Sequence, residues 1–159
     1  MTMTEWFLWI YDIMCGLLLG GALFERLVLV SVWASAPPDS VRQWNNHPEY
    51  KLDPSGRFFK FVTLPLMLLT PINAWLAWRM GGSVGQWLLI STACVLVVII
   101  ATIAYFAPLI IILTYKNGAG LDDEAVRKKT AQWLGWQYLR LAVLAAGWIA
   151  GLKALQILG

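Results

Sequence analysis

Four long apolar runs separated by polar stretches organise this chain. They cover residues 6–33, 58–78, 87–115 and 133–158, and each exceeds the roughly 18–20 residues that carry a helix across a hydrocarbon core. None alternates with period two, as the strands of a closed barrel would. The first run stops at "SAPPDS", where Pro37 and Pro38 break it. The polar loop that follows, "DSVRQWNNHPEYKLDPSGR", carries Trp44 and Tyr50, aromatic residues suited to the headgroup layer. Pro65 and Pro71 predict a kink in the second run, and "MGGSVG" predicts a tight turn into the third. The third run contains Pro108 and closes at "YKNGAG". In "LDDEAVRKKTAQW" acids precede bases, the order a helix N-terminus favours, so the last helix starts in water near Asp122. The pattern predicts one all-α domain, residues 1–159, folded as a four-transmembrane-helix bundle with helices at about 6–34, 58–79, 87–115 and 122–158.

Composition agrees. The chain is 59% hydrophobic and only 13% charged, with a mean hydropathy of +0.64, too apolar for a soluble domain in which about a quarter of residues carry charge. The first run lacks a basic start and a small-residue cleavage site and is too long for a signal peptide. Charge adds direction. Arg42, Lys51, Arg57 and Lys60 lie in or beside the first loop and Lys116, Arg127, Lys128 and Lys129 in the third, against Arg79 and Lys153 on the other side. The positive-inside rule therefore places the first and third loops in the cytoplasm and both termini on the outer side. The distribution of basic residues, more than the net charge of +3, orients the protein in a lipid bilayer, with a bacterial inner (cell) membrane as the expected location. No basic-aromatic pattern calls for nucleic acid. Cys15 and Cys94 fall inside spans without a CxxC pairing, as packed residues do.

Polar positions inside the spans are the next signal. At about 100° per residue, Tyr11, Asp12, Cys15, Glu25 and Arg26 share one arc of roughly 140° on the first helix, bordered by Gly16 and Gly20. Trp133, Trp136, Gln137, Arg140, Gly147 and Gly151 form one stripe on the last helix; Thr63, Thr70 and Asn73 face one way on the second, and Ser91, Cys94, Thr102 and Tyr105 on the third. At about 1.5 Å per residue, Glu25, Arg26, Tyr105 and Arg140 lie at comparable depth. Glu25 with Arg140 is the preferred pair, Tyr105 a third member, and Asp12 is left without a partner. Lys153 points away and snorkels.

Each acid or base in mid-span costs about 2.5–3.5 kcal/mol on insertion scales, so Asp12, Glu25 and Arg26 together demand partners inside the bundle. Intramembrane ionisable residues are site candidates on that ground, and the alternative is a structural charge network that fixes helix order. His47 in "NNHP" is the only histidine; it is either a solvated loop residue or an acid–base group at the mouth of a pocket, and one histidine with no ligand cluster around it gives neither a metal centre nor a haem site. Trp75 and Trp136 lie near polar faces and could stack on a flat ligand, while the other tryptophans read as interface anchors.

The "YFAPLIIIL" of the third run, with "LDDEAVRKKTAQWLGWQYLRLAVLAAGWIAGLKAL" after it, resembles the anthrone-oxygenase-like family of small four-helix membrane proteins. That family shows an aromatic–x–x–Pro turn late in its third helix and Trp–x–x–x–Asn–x–x–Arg entering its fourth. Tyr105 and Pro108 match the first element, Trp133 and Arg140 the second, and Gln137 stands in place of the Asn, keeping an amide with a different reach. The resemblance implies a fused aromatic ketone or phenol as substrate. Asp12 or Glu25 would take its acidic C–H proton, Arg140 and Tyr105 would stabilise the enolate, and molecular oxygen would react with the anion. Arg26, Asn73, Trp75, Trp136, Gln137 and His47 complete the candidate binding residues. Cofactors stay unassigned, and a homo-oligomer is allowed for. The competing reading is a non-catalytic membrane subunit, carrier or assembly partner.

The charge distribution yields a direct test of orientation. Cysteines introduced at Ser40 and Gly118 should stay unlabelled by an impermeant maleimide applied from outside intact cells, and rapid labelling at both would invert the topology.

Overall fold

The computed structural model describes residues 2–44 and 54–159, and among them the chain is helical without strands. Helix α1 spans Met3–Trp33. Thr2 opens it: its hydroxyl accepts the Glu5 amide at 3.2 Å while the Glu5 carboxylate accepts the Thr2 amide at 2.9 Å, a reciprocal cap that satisfies two otherwise free donors. A short α2, Asp39–Gln43, follows the Pro37–Pro38 break. Helix α3 covers Pro54–Met80 and runs through Pro65 and Pro71 without interruption. Helix α4 spans Gly82–Tyr115 and α5 Asp123–Leu158. Asp122 caps α5, its carboxylate accepting the Ala125 amide at 2.7 Å, as the run of acids at that point predicts.

The expected boundaries shift in one informative place. Gly81 alone separates α3 from α4, and the expected loop up to residue 86 is helix instead. Gly81 and Gly82 adopt φ of 59° and 55°, open to glycine at little cost, so the chain reverses in a single step. Gly85 then seats against the Ala77 carbonyl where a Cβ would overlap it. The two helices leave the turn in backbone contact.

The spans pack as a square. Helix α1 lies against α3 and α5, and α4 lies against the same two. The Gly81 turn and the short link at residues 116–122 reverse the chain between neighbouring spans, and with the first and third loops at one end the spans run up-down-up-down. At the end away from Gly81, Arg42 of α2 donates to Asp123 at 2.6 Å and Arg127 donates to the Pro37 carbonyl at 3.2 Å. The first and third loops therefore meet at one end. Trp44, expected in the headgroup layer, is instead buried with Val41, Trp33 and Trp133 in the core cluster of that end. His47 and Tyr50 lie outside the described residues.

Polarity is inverted relative to a water-soluble bundle. Asp12, Glu25, Asn73, Ser91, Gln137 and Arg140 are buried, while Leu27, Phe61, Leu68, Trp78 and Ile100 are among the most exposed side chains. A protein in water would gain by exchanging these sets; one in lipid would not, since tails are as apolar as leucine. With four helices long and apolar enough to cross a membrane, the structure is that of an integral membrane protein.

The glycine seams differ from a simple α1–α5 contact. Gly16 lies under the Trp148 indole, where a Cβ would be 3.1 Å from Nε1, and Gly151 receives the Asp12 carboxylate. Gly147, however, faces α4, with a Cβ there 2.8 Å from that of Cys94, and Gly20 faces open space. Gly147→Leu should therefore destabilise the bundle by about 1–3 kcal/mol, the range for overpacking, read as a lower unfolding midpoint in detergent. An unchanged midpoint would remove the α4–α5 seam.

Candidate functional site

Among the described residues, α-helical turns widen at three places. Five-residue π turns occupy Glu25–Leu29 in α1 and Thr102–Phe106 and Ile111–Tyr115 in α4. The amide closing each accepts a longer reach, Val30 to the Glu25 carbonyl, Ala107 to Thr102 and Lys116 to Ile111. Pro108 contributes to the second, because it has no N–H for the Ala104 carbonyl four residues back. Such turns add a residue to the local circuit and displace side chains from the regular face. All three line one cavity.

That cavity measures about 500 Å³, within the range of small-molecule sites. It lies between the first half of α3, through Gly56, Phe59, Lys60 and Thr63, and the last half of α4, through Thr102, Phe106, Ile110 and Thr114. Leu18, Val98, Ile99 and Leu144 close its inner end, and Trp44 and Tyr115 stand at the end near the loops. Trp33, Phe106 and Trp133 make a continuous aromatic wall. Trp133 meets Trp33 edge-on at 5.3 Å between centroids and Phe106 at 5.9 Å.

The buried charge in this chamber is the Glu25–Arg140 pair, while Lys60, also on its wall, is exposed. Arg140 Nη2 donates to Glu25 Oε2 at 3.1 Å, and Gln137 Nε2 donates to the same oxygen at 3.3 Å. Residues 137 and 140 sit three apart on α5 and so share a face. The guanidinium lies over the Phe106 ring at 4.8 Å and near that of Phe59 at 5.6 Å, where ring quadrupoles supply part of the lost hydration. Both bonds fall on one oxygen, which leaves the pair one-pronged. Arg140 Nε, although Arg140 is only 8% exposed, has no hydrogen-bond partner, and neither has the indole N–H of Trp133 at 1% exposure. Two buried donors of the chamber wall thus lack acceptors.

The other expected site residues divide. Glu25 and Arg140 come together as their shared depth and faces predict, but the third member is Gln137, from the Arg140 stripe, and not the expected Tyr105. Arg26 does not join them: it donates to the Tyr138 hydroxyl at 2.7 Å and stacks on that ring at 4.8 Å, at the outer α1–α5 seam. Neighbours on a helix diverge by about 100°, so Glu25 and Arg26 cannot both face the centre. Tyr105 contacts Phe106 and Trp136 by its ring, and its hydroxyl has no hydrogen-bond partner. Trp75 and Trp136 are half-exposed on the outer surface, away from the chamber.

Asp12 lies elsewhere. It is buried in the other half of the bundle, about 20 Å along α1 from Glu25, and its carboxylate rests on Gly151 beside Ser91 and Trp148. Asn73 spans α3 to α4 in that half, donating to Thr92 at 3.0 Å and to the Leu88 carbonyl at 3.4 Å, which makes it a clamp. Among the described residues no three His, Cys, Asp or Glu side chains gather as a metal site would require. Sequence reasoning missed the aromatic wall. Trp33, which by type reads as an interface anchor, packs on Trp133 instead, and only the stripe shared by Trp133 and Arg140 signals a member of this wall.

No protein-family model, curated protein or solved structure matches this chain.

Breaking a buried pair strands the remaining charge, at about 3–5 kcal/mol. Glu25→Gln and Arg140→Gln should each lower stability by that order, and the double variant should lose less than the sum by at least about 1 kcal/mol. Additive losses in a denaturation cycle would show that the two side chains are energetically independent.

Proposed function

We propose that this protein holds a flat, oxygen-bearing aromatic molecule inside a bacterial cell membrane, in the chamber between α3 and α4, with the chamber mouth toward the cytoplasm. The observation that carries this reading is the conjunction of two unpartnered buried donors, Arg140 Nε and Trp133 Nε1, with a wall of aromatic rings. Donors without acceptors favour a ligand oxygen with lone pairs, a ketone or phenolate. Edge-on rings around a cavity of about 500 Å³ favour a planar hydrocarbon body. The Lys and Arg excess of the first and third loops supports the orientation.

The reaction that this arrangement would serve is the oxidation of an anthrone-like ketone, the chemistry suggested by the Tyr105–Pro108 and Trp133–Arg140 motifs. Glu25 is the carboxylate of the chamber, and its Oε1 lies outside the bonds to Arg140 and Gln137. It takes a proton from the ring CH₂, and the charge collects on the ketone oxygen facing the donors. Dioxygen bonds to the carbanion and takes up a proton as a hydroperoxide. Loss of water then leaves a second carbonyl. Across the sequence one dioxygen is consumed, CH₂ becomes C=O, and one water is released.

A non-catalytic carrier or subunit is favoured by a separate observation, that Glu25 is already engaged by two donors. The readings part on turnover. Anthrone should quench the fluorescence of purified protein, Arg140→Gln should weaken that binding at least about tenfold, and Trp133→Phe should weaken it by a smaller factor. Anthrone-dependent oxygen uptake abolished in Glu25→Gln would establish the oxidation; binding without uptake would establish the carrier. No binding at all would end both.

A further inference from the structure

A second cavity, of about 440 Å³, lies on the outer side of α1 against α3. Its floor is Gly16, Gly20 and Gly21 and its walls are Leu17, Phe24 and Phe58, apolar throughout. Glu25, Leu29 and Phe59 belong to both this groove and the inner chamber. The two spaces therefore adjoin across these residues, and the Phe59 ring between them stands 5.6 Å from the Arg140 guanidinium and 5.6 Å from the ring of Phe58.

Glycine is required at one of the floor positions and not at another. Phe58 lies so close over Gly21 that any Cβ there would overlap its ring, whereas a Cβ at Gly20 meets nothing within 4 Å. Leu17 and Phe24 on the groove wall are exposed on the outer surface, and beyond the shared Glu25 and Phe59, in the chamber itself, lies the unpartnered Nε of the buried Arg140. One end offers a hydrogen-bond donor among aromatic rings and the other a smooth apolar channel. A molecule satisfying both has a flat oxygenated head and a flexible aliphatic tail.

We propose that the groove over Gly16, Gly20 and Gly21 receives the tail of a ligand whose ring occupies the chamber, so that the ligand class is a ring ketone, phenol or quinone carrying an alkyl or isoprenoid chain, admitted sideways from the membrane past Phe59. This rests on the chamber being a ligand site. Lateral access suits such a molecule, because it dissolves in the bilayer and never needs to cross water to reach the pair.

The test compares menadione with the same naphthoquinone bearing a decyl chain, measured by tryptophan quenching on the full chain in nanodiscs. Gly20→Leu fills the groove from a position with room for a side chain, so it should leave the melting midpoint unchanged. It should weaken the decyl compound about tenfold, the scale of apolar pocket discrimination, and leave menadione unaltered. Leu17→Trp, filling the groove from its wall, should act the same way and covers the case in which Gly20→Leu fails to fold. Arg140→Gln should weaken both compounds. If Gly20→Leu and Leu17→Trp leave the decyl compound unaffected while menadione still binds and responds to Arg140→Gln, the groove holds bilayer lipid only and the tail assignment falls alone. If neither compound binds the unmodified protein, the chamber reading falls and takes the tail assignment with it.

Discussion

A carboxylate and a guanidinium taken out of water and placed among phenyl rings constrain this fold more than any other contact. The pair joins α1 to α5 through Glu25 and Arg140, and neither helix could present its charge to lipid without a penalty of several kcal/mol. Register between the two helices is thereby set to within a turn, since a slip of one residue carries Glu25 about 100° around α1. Gln137 reinforces the same register from one turn earlier on α5. The aromatic rings of Phe59 and Phe106 bring α3 and α4 to the same guanidinium. All four spans thus converge on one cation.

Convergence has a geometric consequence. Helices packed at normal distance leave no space around an arginine and its aromatic neighbours, and the π turns relieve this by displacing side chains without ending the helices. The same turns produce the chamber, so the cavity and the ion pair are two results of one accommodation. Removing a turn of this kind would restore regular packing but misplace Glu25 or Phe106, both of which lie in such segments.

Much of this was legible in the sequence, and the reason is the strength of one constraint. Lipid tolerates so few polar groups that most mark an inward face, which is why Glu25 and Arg140 pair as depth and angle predict, although Gln137 takes the third place that those same depths give to Tyr105. The method fails where the helix stops being regular or where a side chain has two acceptable environments. Arg26 has a long stem and an amphipathic neighbour, Tyr138, so it could stay at the seam and still be hydrogen-bonded. The π turns leave no mark in composition, and only Pro108 hints at one of them. Tryptophan is at home in a headgroup layer and in a core, so Trp33, Trp44 and Trp133 could not be sorted from Trp75 and Trp136 by residue type. The loop-side ends of the spans fall within a few residues of where the apolar runs stop, whereas the α3–α4 turn is shorter than "MGGSVG" suggests because a positive-φ glycine pair reverses the chain in one step.

The two ends of the bundle are built on opposite rules. Near Gly81 small residues let backbones close up: Gly85 rests on the Ala77 carbonyl and Gly151 on Asp12, and Gly147 opposes Cys94 towards the middle. Asn73 and Thr92 there bond across and along the helices. Near the loops the contacts are made by Trp33, Trp44, Phe106 and Trp133, rigid side chains that touch at edges and hold helices apart. A tight end and an aromatic end are joined by continuous helices, and Leu18 and Leu144 close the chamber between them. The tight half anchors the geometry, and because it does not yield, the aromatic half can keep a cavity open beside a buried charge. The chamber is therefore a property of the whole bundle: its depth is set by where the small residues stop, its width by the rings, and its chemistry by the single pair that the lipid forced inward.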